Sequence, residues 1–154
     1  MTKEALRWGI IGLGKIANKL ATALENVDRV SLHAVASRSL DSAQQFAQKY
    51  NAPVFYDSYL KLVEDPNLDV VYIATPHAFH KEHTLLCLKN KKPVLCEKPL
   101  AHKLEHVQQM IQASQEHNTF LMEAMWTRFL PPINKTLELI HGGHIGQVTS
   151  IEAD

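Results

Sequence analysis

At 154 residues, 45% of them hydrophobic and 21% charged, the chain is long enough for one well-buried domain and has an ordinary globular composition. Sixteen basic residues balance sixteen acidic ones, so nothing in the charge attracts nucleic acid or an anionic membrane surface. No apolar run approaches the roughly 18 residues of a membrane span. The polar start Met1-Thr2-Lys3-Glu4-Ala5 leads straight into a strand, with no signal peptide visible. Cys87 and Cys96 belong to no C-x-x-C pair. They are expected to be reduced, buried thiols in a cytoplasmic protein.

The first predicted strand is the apolar run 8–11, followed at once by Gly12-x-Gly14-x-x-Ala17. A helix comes next, with Ile16, Leu20, Ala23 and Leu24 on one face. Strand, glycine turn and helix in that order are what a dinucleotide-binding βαβ unit needs. Gly12 takes the tight turn, Gly14 has no Cβ to hold the backbone off a pyrophosphate, and Ala17 lets the helix pack close. The free N–H groups of the first helical turn then face the phosphates. The bland alternative is a glycine-rich turn that binds nothing.

Residues 30–37 read as a second strand and 40–50 as a second helix. A short third strand covers 53–56, a brief helix 59–64, and Asp65-Pro66-Asn67 a turn. The run 68–75, rich in Val and Ile, is the most strand-like in the chain. A helix over 78–88 and a strand over 93–97 follow. A helix with Leu104, Val107, Met110, Ile111 and Ser114 on one face leads to a sixth strand at 120–122. Strands alternating with helices at this spacing predict a doubly wound parallel sheet of Rossmann type, an α/β fold.

After residue 122 the pattern changes. Pro131-Pro132 opens a helix with Ile133, Leu137 and Ile140 as its apolar face, and Gly142-Gly143 ends it. Residues 148–153 read as a strand with nowhere to pair. Residues 1–124 are thus expected to be a complete dinucleotide-binding domain, and 125–154 the first helix and strand of a truncated second α/β domain.

The cofactor is read from the end of the second strand. An acid about 20 residues beyond the glycine motif would bind the adenosine ribose hydroxyls. Here Ser37-Arg38-Ser39 holds the place, and a hydroxyl with a guanidinium suits a 2′-phosphate. NADP is favoured over NAD; a surface arginine in a βα loop is the plain alternative. Glu97-Lys98-Pro99 falls at the carboxyl end of the fifth strand, where doubly wound sheets bind ligands.

Together with Gly12-Leu13-Gly14-Lys15-Ile16-Ala17, Thr75-Pro76-His77-Ala78-Phe79-His80, Glu97-Lys98-Pro99-Leu100-Ala101 and the turn Gly143-His144-Ile145-Gly146, the chain resembles the glucose–fructose oxidoreductase / inositol dehydrogenase (Gfo/Idh/MocA) family. The resemblance runs over essentially all 154 residues, about the N-terminal half of a typical member. The stretch from Glu123 to Pro131 is similar to the branch of dimeric dihydrodiol dehydrogenases and NADP-dependent xylose dehydrogenases. Asn90-Lys91-Lys92-Pro93 departs from the Gly-Lys-His common in members, on the far side of the sheet.

The resemblance implies an NADP-dependent oxidoreductase acting on a CH-OH or carbonyl group of a sugar, polyol or trans-dihydrodiol, and a homo-oligomer at full length. It gives Lys98 the catalytic role, hydrogen-bonding the substrate oxygen as hydride moves. Glu97 would fix Lys98 and touch the nicotinamide ribose. Thr75, Pro76, His77 and His80 would line the cofactor, and Trp126 and Arg128 the nicotinamide and substrate side. A catalytically silent NADP(H) sensor or assembly module is the alternative from another class, and Lys98 argues against it.

The histidines also raise a metal. His102-Lys103-Leu104-Glu105-His106 matches the pattern H-x-x-E-H, yet it sits at an exposed helix start with no third ligand downstream. His77, His80 and His83, at i, i+3 and i+6, spread over about 120° of a helix and do not converge. No metal is expected.

Overall fold

The computed structural model describes residues 5–152 of the protein. It falls into two compact units, Met1–Ala124 and Met125–Asp154. In the first, six strands form one parallel sheet: β1 (Leu6–Ile11), β2 (Val30–Ala36), β3 (Val54–Tyr56), β4 (Val70–Ile73), β5 (Val94–Cys96) and β6 (Leu121–Glu123). Their spatial order is β3-β2-β1-β4-β5-β6. The chain winds outward one way from β1 and then returns to β4 on the other side. Between β1 and β4, at the carboxyl ends, the crossovers diverge and leave a crevice for ligands.

Five helices connect the strands: α1 (Lys15–Leu24), α2 (Leu40–Lys49), α3 (Tyr59–Val63), α4 (His80–Lys89) and α5 (Leu104–Glu116). Because helices cover both faces, the central strands are apolar on both sides. Ile11, Ala36, Ile73 and Cys96 pack with Leu62 and Leu88 on one face, while Ile10, Val35 and Tyr72 pack with Ala17, Ala21 and Phe46 on the other. Each fully buried Ile, Leu or Val side chain there contributes about 1.5–3 kcal/mol.

Two predicted helix faces are corrected. In α1 the buried residues are Ala17, Ala21 and Leu24, and Ala23 is exposed. In α5 Met110 and Ala113 are buried, whereas Leu104 is 74% and Ile111 45% exposed. Ile111 lies about 100° round the helix from Met110 and faces away. The expected helix over 78–88 is also divided: a 3-10 turn, His77–Phe79, precedes α4.

A polar group ties β2, β3 and the turn before β4 together. The buried carboxylate of Asp65 accepts from the Asn67 N–H at 2.8 Å and the Tyr56 hydroxyl at 3.1 Å, and lies 2.9 Å from His33 Nε2. Lys92 Nζ donates to the carbonyls of Asp65 and Leu68. Cys87 and Cys96 are free and buried, and burial pushes the Cys96 thiol up to about 12.

In the second unit a 3-10 turn, Trp126–Phe129, precedes α6 (Pro131–His141), which starts on proline as expected. Gly143, at φ +70°, ends it: its N–H donates to the Ile140 carbonyl and that of His144 to the Leu139 carbonyl. The strand expected over 148–153 does not form at 148–152, and Ala153 lies outside the described residues. A strand needs a neighbour for its backbone N–H and C=O groups, and among the described residues none pairs with this one.

Candidate functional site

The turn after β1 requires glycine at one position and leaves room at the other. Gly12 has φ +82°, and a Cβ there would lie 2.6 Å from the Thr75 backbone nitrogen. The loop therefore rests on the carboxyl end of β4. Gly14, at φ −82° and ψ −167°, is ordinary extended backbone, and a Cβ there would meet nothing within 4 Å. It faces open space. Gly14 is also the N-cap of α1, with no side chain capping the first turn. The N–H groups of that turn are thus left for an anion.

A cleft of about 460 Å³ opens above these donors, lined by Gly12, Leu13, Gly14, Lys15, Ile16, Ser37, Arg38, Thr75 and Pro76, with Ser42 and Tyr59 at its side. A second cavity, about 390 Å³, adjoins it through Arg38, Tyr59, Thr75 and Pro76. Its inner wall is His83, flanked by Tyr59 (ring centroids 4.7 Å, edge-on) and Phe79 (5.8 Å, stacked). His83 Nδ1 is 2.9 Å from Thr75 Oγ1. Burial lowers the His83 pKa and so favours the neutral ring, which forms an aromatic wall.

His80, expected to line the cofactor, sits at the start of α4. It is fully buried, with Nε2 2.9 Å from the Thr75 carbonyl and Nδ1 2.9 Å from the Pro99 carbonyl. Both ring nitrogens face backbone carbonyls, so the ring bridges the loop after β4 and the loop after β5. His77 is exposed on the 3-10 turn, its ring near those of His80 and His102.

The loop after β5 carries Lys98, joined to Pro99 by a cis peptide bond. Lys98 is exposed, and among the described residues its ammonium has no hydrogen-bond or ion-pair partner. Glu97 beside it is buried. Its Oε1 accepts from the Tyr72 hydroxyl at 2.5 Å and its Oε2 from the Lys98 N–H at 3.1 Å. Burial, with the nearby Glu97 carboxylate, raises the Tyr72 pKa, so the phenol stays a donor. Trp126 and Arg128 belong to the second unit, both exposed on its 3-10 turn.

Sequence reasoning missed Tyr59, Phe79 and His83 as cavity walls, and Tyr72 as the partner of Glu97. A lone phenol in the strand Val70-Val71-Tyr72-Ile73 was the available signal, since a buried hydroxyl needs a partner.

Empty space at Gly14, uncapped helix N–H groups beside it and the Arg38 guanidinium at the rim fit a dinucleotide with its phosphates on α1. The sequence profile of an oxidoreductase family with an NAD-binding Rossmann fold, Gfo/Idh/MocA, matches residues 6–125. The chain belongs to this family. It is 47% identical over 152 residues to the trans-1,2-dihydrobenzene-1,2-diol dehydrogenase of Danio rerio, covering 97% of the chain and 46% of that relative. The chain thus spans about half the length of the curated relatives it matches. Among solved structures it is similar to a putative NADPH-dependent oxidoreductase from Desulfitobacterium hafniense (26% identity, TM-score 0.91, 96% of this chain and 42% of that one). It is also similar to a 3-ketoreductase from Actinomadura kijaniata in complex with NADP (28%, TM-score 0.85, 91% and 43%). Among the described residues no helix is long and apolar enough to cross a membrane.

Proposed function

We propose that this chain is the cofactor-binding part of an NADP-dependent oxidoreductase that moves hydride to or from a CH-OH or carbonyl carbon of a trans-dihydrodiol, sugar or polyol. The observation that carries it is the meeting of the glycine turn, Arg38 and the Thr75-Pro76 loop on one cleft. The Danio rerio relative, a dihydrodiol dehydrogenase by name, supports the substrate class. Two free, buried cysteines suit a cytoplasmic setting. On the same reading residues 125–154 open the substrate domain, with Trp126 and Arg128 on the substrate side, and the full-length protein is a homo-oligomer.

Each residue has a physical task. The first-turn N–H groups at Lys15 and Ile16 hold the pyrophosphate, and Gly14 lets it approach. Ser37 and Arg38 take the 2′-phosphate. Of the two acids lining the adjoining cavity, Asp57 and Glu82, Asp57 is paired with Lys61 at 2.8 Å and repels a phosphate less than a free carboxylate would. The adenine would lie against Tyr59, Phe79 and His83. A bound nicotinamide supplies or accepts the hydride. Lys98 holds the proton at the substrate oxygen, its ammonium stabilising alkoxide character there. Glu97 fixes the backbone from which Lys98 reaches out.

Fluorescence titration of the chain with NADPH and NADH tests the cofactor half. NADPH is expected to bind about tenfold or more tightly, because a charge-assisted contact contributes roughly 1.5–3 kcal/mol. Arg38→Ala should abolish the difference. Equal affinities in the unaltered chain would remove the NADP assignment. Turnover of trans-dihydrodiols, aldoses and dicarbonyls by the full-length protein then tests the substrate class.

A further inference from the structure

We infer that Glu123, at the end of β6, is a positioning residue that fixes the Lys98 loop; this rests on the reading of Lys98 as the proton donor. The loop Lys98-Pro99-Leu100 has two N–H groups, since proline has none. Each is bound by a carboxylate: the Lys98 N–H donates to Glu97 Oε2 at 3.1 Å, and the Leu100 N–H to Glu123 Oε1 at 2.7 Å. Between them the Pro99 carbonyl lies 2.9 Å from His80 Nδ1. Three consecutive residues are therefore each contacted: Lys98 by its neighbour Glu97, Pro99 by His80 of α4 and Leu100 by Glu123 of β6.

The two carboxylates are themselves held. Glu97 is oriented by Tyr72 from β4. Glu123 stands opposite Cys96 in the β5–β6 register, and the Ala124 N–H donates to the Cys96 carbonyl at 2.7 Å. The Glu123 backbone thus cannot drift relative to β5. Its carboxylate extends over the strand end to the far side of the cis bond, where Glu97 does not reach.

This matters because the Lys98 ammonium makes no hydrogen bond among the described residues. A lysine side chain has four rotatable carbons and is not positioned by its own stem. What limits the reach of the ammonium is the backbone it hangs from. With Glu123 removed, the loop keeps its contacts at the Lys98 N–H and the Pro99 carbonyl but loses the one at Leu100, which frees its downstream end. A loss of alignment of about 1 Å at a reacting group lowers turnover by roughly a hundredfold.

The test reads the loop and the chemistry separately. Hydrogen exchange of the Leu100 amide, measured on the chain, should be about tenfold or more faster in Glu123→Ala, given the strength of a charge-assisted bond. Glu123→Asp, shorter by one methylene, should show the same direction if the alanine variant folds poorly. Glu123→Gln keeps an acceptor oxygen and should retain most of the protection. In the full-length enzyme kcat should fall in the alanine and aspartate variants and be largely restored in the glutamine variant, with KM and the NADPH dissociation constant unchanged. Leu100 exchange unaltered in Glu123→Ala would overturn the clamp. Faster exchange with unaltered kcat would overturn the positioning role alone. Full turnover in Lys98→Met would instead remove the reading on which the role rests, whatever the exchange data say.

Discussion

A Cβ on Gly12 would lie 2.6 Å from the backbone nitrogen of Thr75, so the first loop of the sheet is seated directly on the end of β4. The same threonine is held from behind, its hydroxyl near His83 and its carbonyl near His80. Cleft and support therefore form one packed unit, and the two glycines of the turn have different reasons to be glycine.

Substitution separates those reasons. Gly12→Ala should cost about 2–5 kcal/mol, adding left-handed strain to a clash with backbone. Gly14→Val should cost no more than about 1 kcal/mol, since a Cβ there meets nothing within 4 Å and what is lost is the preference for glycine over valine at a helix N-cap. It should nevertheless abolish dinucleotide binding by filling the approach to the helix N–H groups. Urea denaturation and an NADPH titration of both variants check this. Undiminished binding by Gly14→Val would mean that the phosphates sit elsewhere.

Asp65 should make the domain acid-sensitive. Burial alone would raise its pKa, but the hydrogen bonds from Asn67, His33 and Tyr56 outweigh it and hold the carboxyl below its ordinary value. A depressed folded-state pKa gives stability that is fully present above the unfolded value, about 3.9, and is lost as pH falls through the folded one. Asp65→Asn should cost roughly 1–3 kcal/mol at pH 7 and flatten the stability profile below about pH 4. Urea midpoints between pH 7 and pH 2 would show it. Parallel profiles for the two proteins would contradict the assignment.

Lys91 sits at φ +58°, the left-handed region, in the turn between α4 and β5. A side chain in that conformation carries a structural cost. Lys91→Gly should raise stability by up to about 1 kcal/mol. The gain is reduced by the bond from Lys91 Nζ to the His117 carbonyl that goes with it. A melting temperature lower than that of the unaltered chain would contradict this.

Much of this was legible in the sequence because it is local. The glycine turn, the run Val70-Val71-Tyr72-Ile73 and the Ser37-Arg38 pair announce themselves within a few residues. The supports were not. Tyr72 and Glu97 are 25 residues apart, and Leu100 and Glu123 are 23, meeting only because β4, β5 and β6 are neighbours. His80 reads as a polar residue near a cofactor motif, and only the structure shows that it is buried with both nitrogens facing backbone carbonyls. Leu104 and Ile111 fit a helical stripe by spacing, yet the sheet meets α5 on the side of Met110 and Ala113.

The most direct test of the account is Lys98→Met in the full-length enzyme. Methionine keeps the length and apolar stem of lysine but has no proton to give. The account predicts a kcat lower by about 10²–10⁴-fold, the usual contribution of a positioned acid or base. NADPH affinity, measured by fluorescence titration, should stay close to that of the unaltered enzyme. Unaltered turnover with a dihydrodiol or sugar substrate would contradict it, leaving Glu97-Lys98-Pro99 as a cofactor-positioning turn.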